Sequence, residues 1–180
     1  MRTLAVVVLA ACAGKAPTGP TVDAAPMLDC ATYCARITTN CTGANLQYGA
    51  MNQCMASCAS FPTGAIADTS GNTLGCRIYH AGAAAADPAT HCVHAGPSGD
   101  PACGTACQGF CSLVVAECPT QYPDSGTCAT TCAGFATTPA YTANVTSGNS
   151  LSCRIYHATA ASTDPTTHCP HTASVSAVCQ

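Results

Sequence analysis

The sequence predicts an all-α, small disulfide-rich fold of two tandem units, each made of two disulfide-stapled helical hairpins. Three observations carry that prediction. Cysteine is unusually dense, with 17 in 180 residues. Sixteen of these cysteines recur as two sets of eight at a nearly constant offset. Within each set, two Cys-x3-Cys pairs suit a helix, because residues four apart lie one above the other on one face.

Composition explains why cross-links are needed. Hydrophobic residues make up 48% of the chain, but aromatic residues only 5%, and Trp is absent. Ala and Cys supply much of the apolar fraction. At about 25 cal/mol per Å² of buried apolar surface, such small side chains build a weak core. Covalent bridges or metal must supply the rest. Charged residues are 7% of the chain, the net charge is -3, and after Arg2 the cations are Lys15, Arg36, Arg77 and Arg154. A nucleic-acid partner held through phosphate neutralisation is therefore not expected.

Residues 1–11 read as a signal peptide: Met1-Arg2-Thr3 is a minimal basic start, and Leu4 to Ala11 is an apolar run of eight. Such a run is too short for a membrane span, which needs about 20 residues. It leads into Leu9-Ala10-Ala11-Cys12, which resembles the bacterial lipobox. With its repeated CRIYH…DPxTHCxH segments, the chain is similar to uncharacterised cysteine-rich surface lipoproteins of bacteria. That resemblance implies that Cys12 is diacylated and becomes the first mature residue. The membrane is then a partner through the N-terminal lipid, and the chain is exported and anchored at the bacterial cell envelope. Ala13 in place of Asp implies the outer membrane or cell surface. Setting Cys12 aside leaves an even 16 cysteines for an oxidising compartment. Residues 12–28 form the lipidated Cys and a flexible Ala/Pro/Gly/Thr tether.

Residues 29–103 form unit 1 and residues 104–180 unit 2. Cys30, Cys34, Cys41, Cys54, Cys58, Cys76, Cys92 and Cys103 correspond to Cys107, Cys111, Cys118, Cys128, Cys132, Cys153, Cys169 and Cys179. Most pairs are offset by 77 residues, with 74 at Cys54 and Cys58 and 76 at the last pair. Aromatic positions repeat too: Tyr33 with Phe110, Tyr48 with Tyr122, Phe61 with Phe135, Tyr79 with Tyr156. The chain is a duplication.

Each unit opens with one Cys-x3-Cys helix and follows it with a second. Antiparallel packing staples them outer to outer and inner to inner: Cys30–Cys58 with Cys34–Cys54, and Cys107–Cys132 with Cys111–Cys128. This hairpin looks like the twin Cx3C hairpins of mitochondrial intermembrane-space chaperones, a likeness that carries no function across.

The second half of unit 1 predicts a helix from Leu74 to Ala86 with Thr73 as N-cap. Asp87-Pro88 ends it and starts a shorter helix over Ala89 to Ala95, with Asp as N-cap and Pro at the first helical position. Unit 2 repeats this from Cys153 to Thr163, through Asp164-Pro165, to Thr166–Thr172. The four remaining cysteines of each unit allow three pairings. A Cys76–Cys92 bridge meets an axial mismatch of roughly 9 Å at 1.5 Å per residue. The expected bridges are Cys41–Cys76 and Cys92–Cys103, and Cys118, Cys153, Cys169 and Cys179 follow suit.

The two halves of the unit diverged unequally. None of the nine non-cysteine residues between Cys30 and Cys41 matches its counterpart between Cys107 and Cys118, whereas 13 of 17 positions match between Cys76–Cys92 and Cys153–Cys169. CRIYHA, Asp-Pro and Thr-His-Cys are identical in both. All six histidines lie in the second hairpins: His80, His91 and His94, repeated as His157, His168 and His171. His91 and His94 share a helical face. His80 stands seven residues before Asp87 and His94 seven after, so an antiparallel hairpin brings the imidazoles together. Imidazole suits Zn, Cu, Ni and non-haem Fe, and Cu or Zn is the expected cofactor. Covalent haem is excluded because no C-x-x-C-H occurs. The same residues also fit a purely internal network in which imidazoles, Arg77 and Tyr79 satisfy helix-end carbonyls.

No catalytic residues are expected. The chain has no Gly-rich phosphate loop and no G-x-S-x-G, and its sole Glu, Glu117, corresponds to Asn40. The Asp residues before Pro88 and Pro165 read as caps, and an even cysteine count leaves no free thiol. The sequence thus points to a non-enzymatic envelope lipoprotein binding a transition metal through two His triads. The alternatives are a structural or adhesive module, and more weakly a redox accessory protein. Its protein partner is not legible.

Overall fold

A computed structural model describes residues 27–180, and the expected signal peptide, Cys12 and nearly all of the tether lie outside the described residues. Eight α-helices follow one another, and the described residues contain no strand: α1 (Cys30–Asn40), α2 (Met51–Cys58), α3 (Leu74–Ala83), α4 (Pro88–Ala95), α5 (Ala106–Glu117), α6 (Ser125–Cys132), α7 (Leu151–Ala161) and α8 (Pro165–Thr172). None of them is long and apolar enough to cross a membrane.

Local chemistry sets the helix starts. The side chains of Asp29, Thr73, Asp87, Asp124, Ser150 and Asp164 each accept from a backbone N–H of the first turn. Thr105 and Gln108 complete a reciprocal capping box at α5. Only α2, preceded by Ala50, lacks a side-chain cap. Pro88 and Pro165 occupy the first turns of α4 and α8, where the missing N–H costs nothing. The helix expected to reach Ala86 stops at Ala83. Ala85 and Ala86 bond instead to carbonyls three residues back, and Asp87, whose backbone at φ -142°, ψ 81° before Pro88 is not helical, cannot continue a helix.

The first hairpins are stapled as expected, by Cys30–Cys58 and Cys34–Cys54 in unit 1 and Cys107–Cys132 and Cys111–Cys128 in unit 2. The other four bridges differ from expectation. They are Cys41–Cys92, Cys76–Cys103, Cys118–Cys169 and Cys153–Cys179, not Cys41–Cys76 with Cys92–Cys103 and their counterparts. The cause is the orientation of α4. It packs against α3 and α1 and turns Cys92 inward to the end of α1, where Asn40 also donates to Ala81 O at 2.8 Å. Cys76, in the first turn of α3, then meets the loop that carries Cys103, which Gly71 N holds through Ala102 O at 2.9 Å.

One hydrophobic core runs through both units, around Tyr33, Ile37, Phe110, Leu113, Leu151 and Ile155. Polar contacts seal the seam. Ala143 N donates to Leu46 O at 2.7 Å, Tyr141 Oη to Gln47 O at 2.9 Å, and Asn72 Nδ2 to Ser112 Oγ at 3.0 Å. Each bridge adds about 2–5 kcal/mol by the usual measure for small secreted domains, so the framework rests on sulfur as much as on packing.

Candidate metal centre

In each unit the second hairpin brings its three histidines together. His80 lies in the last turn of α3, and His91 and His94 share one face of α4. His80 Nδ1 stands 2.8 Å from His91 Nδ1, and the His94 ring centroid is 4.9 Å from that of His80. In unit 2, His157 Nδ1 stands 2.9 Å from His168 Nδ1 and 3.3 Å from His171 Nδ1. One ligand nitrogen from each member of a triad lies within 4.8 Å of the others. Nitrogens about 2.0–2.1 Å from one ion stand about 2.9 Å apart at a right angle and about 3.4 Å apart at the tetrahedral angle. The closest pairs sit near that range.

Tautomers follow from the second nitrogen. His80 Nε2 points at Thr69 O and His157 Nε2 at Thr146 O, each at 3.2 Å. A carbonyl only accepts, so Nε2 carries the proton and Nδ1 turns its lone pair into the cluster. This is the outer-shell arrangement that orients metal-binding imidazoles. Burial lowers the pKa of His80, and neighbouring imidazoles add to the effect. Burial, followed by the charge of His171, lowers that of His157 to about 4. Burial also lowers His94 and His168. These rings stay neutral, the form that binds metal, below the usual imidazole range.

The surrounding identities now have roles. Tyr79 and Tyr156 pack edge-on against the adjacent histidines, with centroids 5.0 Å apart. Tyr79 is half exposed and is not part of the alternative internal network, in which Arg77 does reach a helix-end carbonyl. Arg77 and Arg154 are fully buried. Arg77 Nε donates to Gly96 O and Nη1 to Thr73 O, and its guanidinium lies 3.9 Å from the Phe61 ring centroid. Arg154 stacks likewise on Phe135 at 4.0 Å. Each arginine ties its own helix to the chain just beyond the third histidine.

Cys76 and Cys103, and likewise Cys153 and Cys179, also approach the buried histidine of their unit. Their sulfurs are bonded to each other, and metal binding needs thiolate, so they add no ligand. The carbonyls of Thr69 and Thr146 were invisible in the sequence, since every residue carries one. Their recurrence at the 77-residue offset was the available signal.

Residues 12–108 match the profile described as the BfoA family C-terminal domain. A stretch of 73 residues, 40% of the chain, is 41% identical to "Aurasperone B biosynthesis cluster protein A" of Aspergillus niger strain ATCC 1015. The same length is 40% identical to "Bifonsecin B biosynthesis cluster protein A" of Aspergillus brasiliensis. The chain spans about a quarter of the length of these curated relatives, 24% and 25% respectively. No solved structure matches. These relatives are fungal, which overturns the likeness to bacterial surface lipoproteins on which lipidation of Cys12 and an outer-membrane anchor rested. The lipobox likeness rested on four residues, and small residues before a cysteine can end any short apolar leader.

Proposed function

The chain belongs to the BfoA family, and we propose that it is an exported, non-enzymatic module holding one transition-metal ion in each of its two His triads. The observation that carries this reading is the paired tautomer lock: in both units a backbone carbonyl takes the Nε2 proton of the buried histidine and turns its Nδ1 toward the other imidazoles. A histidine that served packing alone would need no such convergence. His80, His91 and His94 would hold one ion, and His157, His168 and His171 the other, with Cu or Zn suited to imidazole donors. The eight disulfides support export, because such bridges persist in an oxidising compartment. The names of the relatives place those proteins in biosynthesis clusters. By that likeness we set this module beside a biosynthetic system as a metal-holding accessory.

Isothermal titration of chelator-treated protein with Cu(II) or Zn(II) tests the reading, together with metal analysis of protein purified without chelator. Two equivalents should bind, one of them lost in His80→Ala and the other in His157→Ala. Absence of saturable binding would end it.

One observation favours a second reading. The Nδ1···Nδ1 separations of 2.8 and 2.9 Å are hydrogen-bond distances, as expected if the triads are internal polar networks of a structural module. In that case the histidine variants lose stability and metal never binds.

A further inference from the structure

Resting on the metal-binding reading, we infer that the two triads are unequal: the unit 2 site fills first and holds its ion more tightly, and the unit 1 site is a weaker, exchangeable one.

The first ground is the third imidazole. His171 Nδ1 lies 3.3 Å from His157 Nδ1, and the two ring centroids are 4.5 Å apart. In unit 1 the corresponding centroids are 4.9 Å apart, and His94 Nδ1 is buried without a hydrogen-bond partner. In unit 1 two nitrogens pair at 2.8 Å and the third makes no hydrogen bond to them.

The second ground is the shell behind each site. Arg154 makes five hydrogen bonds. Nε donates to Ala173 O, Nη1 to Asn149 Oδ1 and Ser150 O, and Nη2 to Ser174 O and Cys179 O. This fixes the chain two residues beyond His171 at several points. Arg77 makes two such bonds, to Gly96 O and Thr73 O, and its Nη2 is buried without a partner. The residue after the third histidine is anchored in both units, by Tyr122 Oη donating to Thr172 O at 2.6 Å and by Tyr33 Oη donating to Ala95 O at 2.7 Å, so the difference lies in the arginines.

The third ground is sequence. Pro170 precedes His171 inside α8, where unit 1 has Val93 before His94. The proline ring fixes its own backbone φ and narrows the conformations open to the third ligand before metal arrives. Ligands held in place by their supporting shell bind without a reorganisation cost.

The test is competition titration with Zn(II) against a chromophoric chelator, on wild type and on variants silencing one site each. His91→Ala and His168→Ala serve alongside His80→Ala and His157→Ala, because their half-buried rings are removed with less risk to folding; circular dichroism checks each fold. Wild type should bind in two steps. The unit 1 variants should keep the tight step, and the unit 2 variants only a step at least tenfold weaker. Arg154→Lys should weaken the tight step while leaving the other unchanged. Equal affinities, or a tighter unit 1, would overturn the inequality and leave the metal reading standing. No binding in wild type would remove both.

Discussion

His80 Nδ1 faces His91 Nδ1 at 2.8 Å, and His157 and His168 repeat the pairing at 2.9 Å. Two nitrogens this close share one proton or one metal ion, since two lone pairs would repel. In the metal-free protein a single N–H lies between them. Zn(II) or Cu(II) should displace it and stabilise the fold by mass action, by about 2.7 kcal/mol per site at a hundredfold excess over Kd. Thermal melts with and without metal, and after chelator, should show a reversible rise in Tm. The rise should vanish in the His91→Ala/His168→Ala double variant.

The buried arginines should matter for stability in unequal measure. Removing a guanidinium orphans the carbonyls it served, and each buried unsatisfied acceptor costs about 1–3 kcal/mol. Arg154→Met strips five bonds and Arg77→Met two. Urea unfolding should place the Arg154→Met midpoint below that of Arg77→Met, and both below wild type.

Glu117 gives the fold a pH dependence. Burial raises its pKa above the ordinary 4.5, partly offset by a hydrogen bond from Ser60 Oγ at 3.4 Å. A raised acid binds more protons folded than unfolded, so its contribution is favourable below 4.5 and is lost as pH rises through the folded value. Glu117→Gln keeps an acceptor for Ser60 and carries no charge. It should be more stable than wild type at pH 7, with the gap closing at pH 4 or below, as read by chemical denaturation.

Reduction should unfold the molecule, because few large side chains remain to hold it. Non-reducing peptide mapping should find Cys41 joined to Cys92 and Cys76 to Cys103. Recovery of Cys41–Cys76 would contradict the fold. Breaking Cys41–Cys92 by paired Ser substitution should cost about 2–5 kcal/mol, measured by the shift in denaturation midpoint.

The helices, the first hairpins and the meeting of the imidazoles were legible in the residues themselves because each depends on near neighbours. Asp29, Thr73 and Asp164 cap within three residues, Cys-x3-Cys spacing fixes one helical face, and Asp87-Pro88 folds His80 back onto His94 by symmetry about a turn. The pairing of Cys41, Cys76, Cys92 and Cys103 was decided only by tertiary packing. Two antiparallel helices can rotate about their axes without changing any local signal, and Cys92 faces inward only because α4 packs against both α3 and α1. The burial of Arg77 and Arg154 and the carbonyls of Thr69 and Thr146 belong to the same class, since backbone acceptors carry no side-chain signature. Sequence placed the histidines on their helices; packing of one helix on the other aimed their nitrogens.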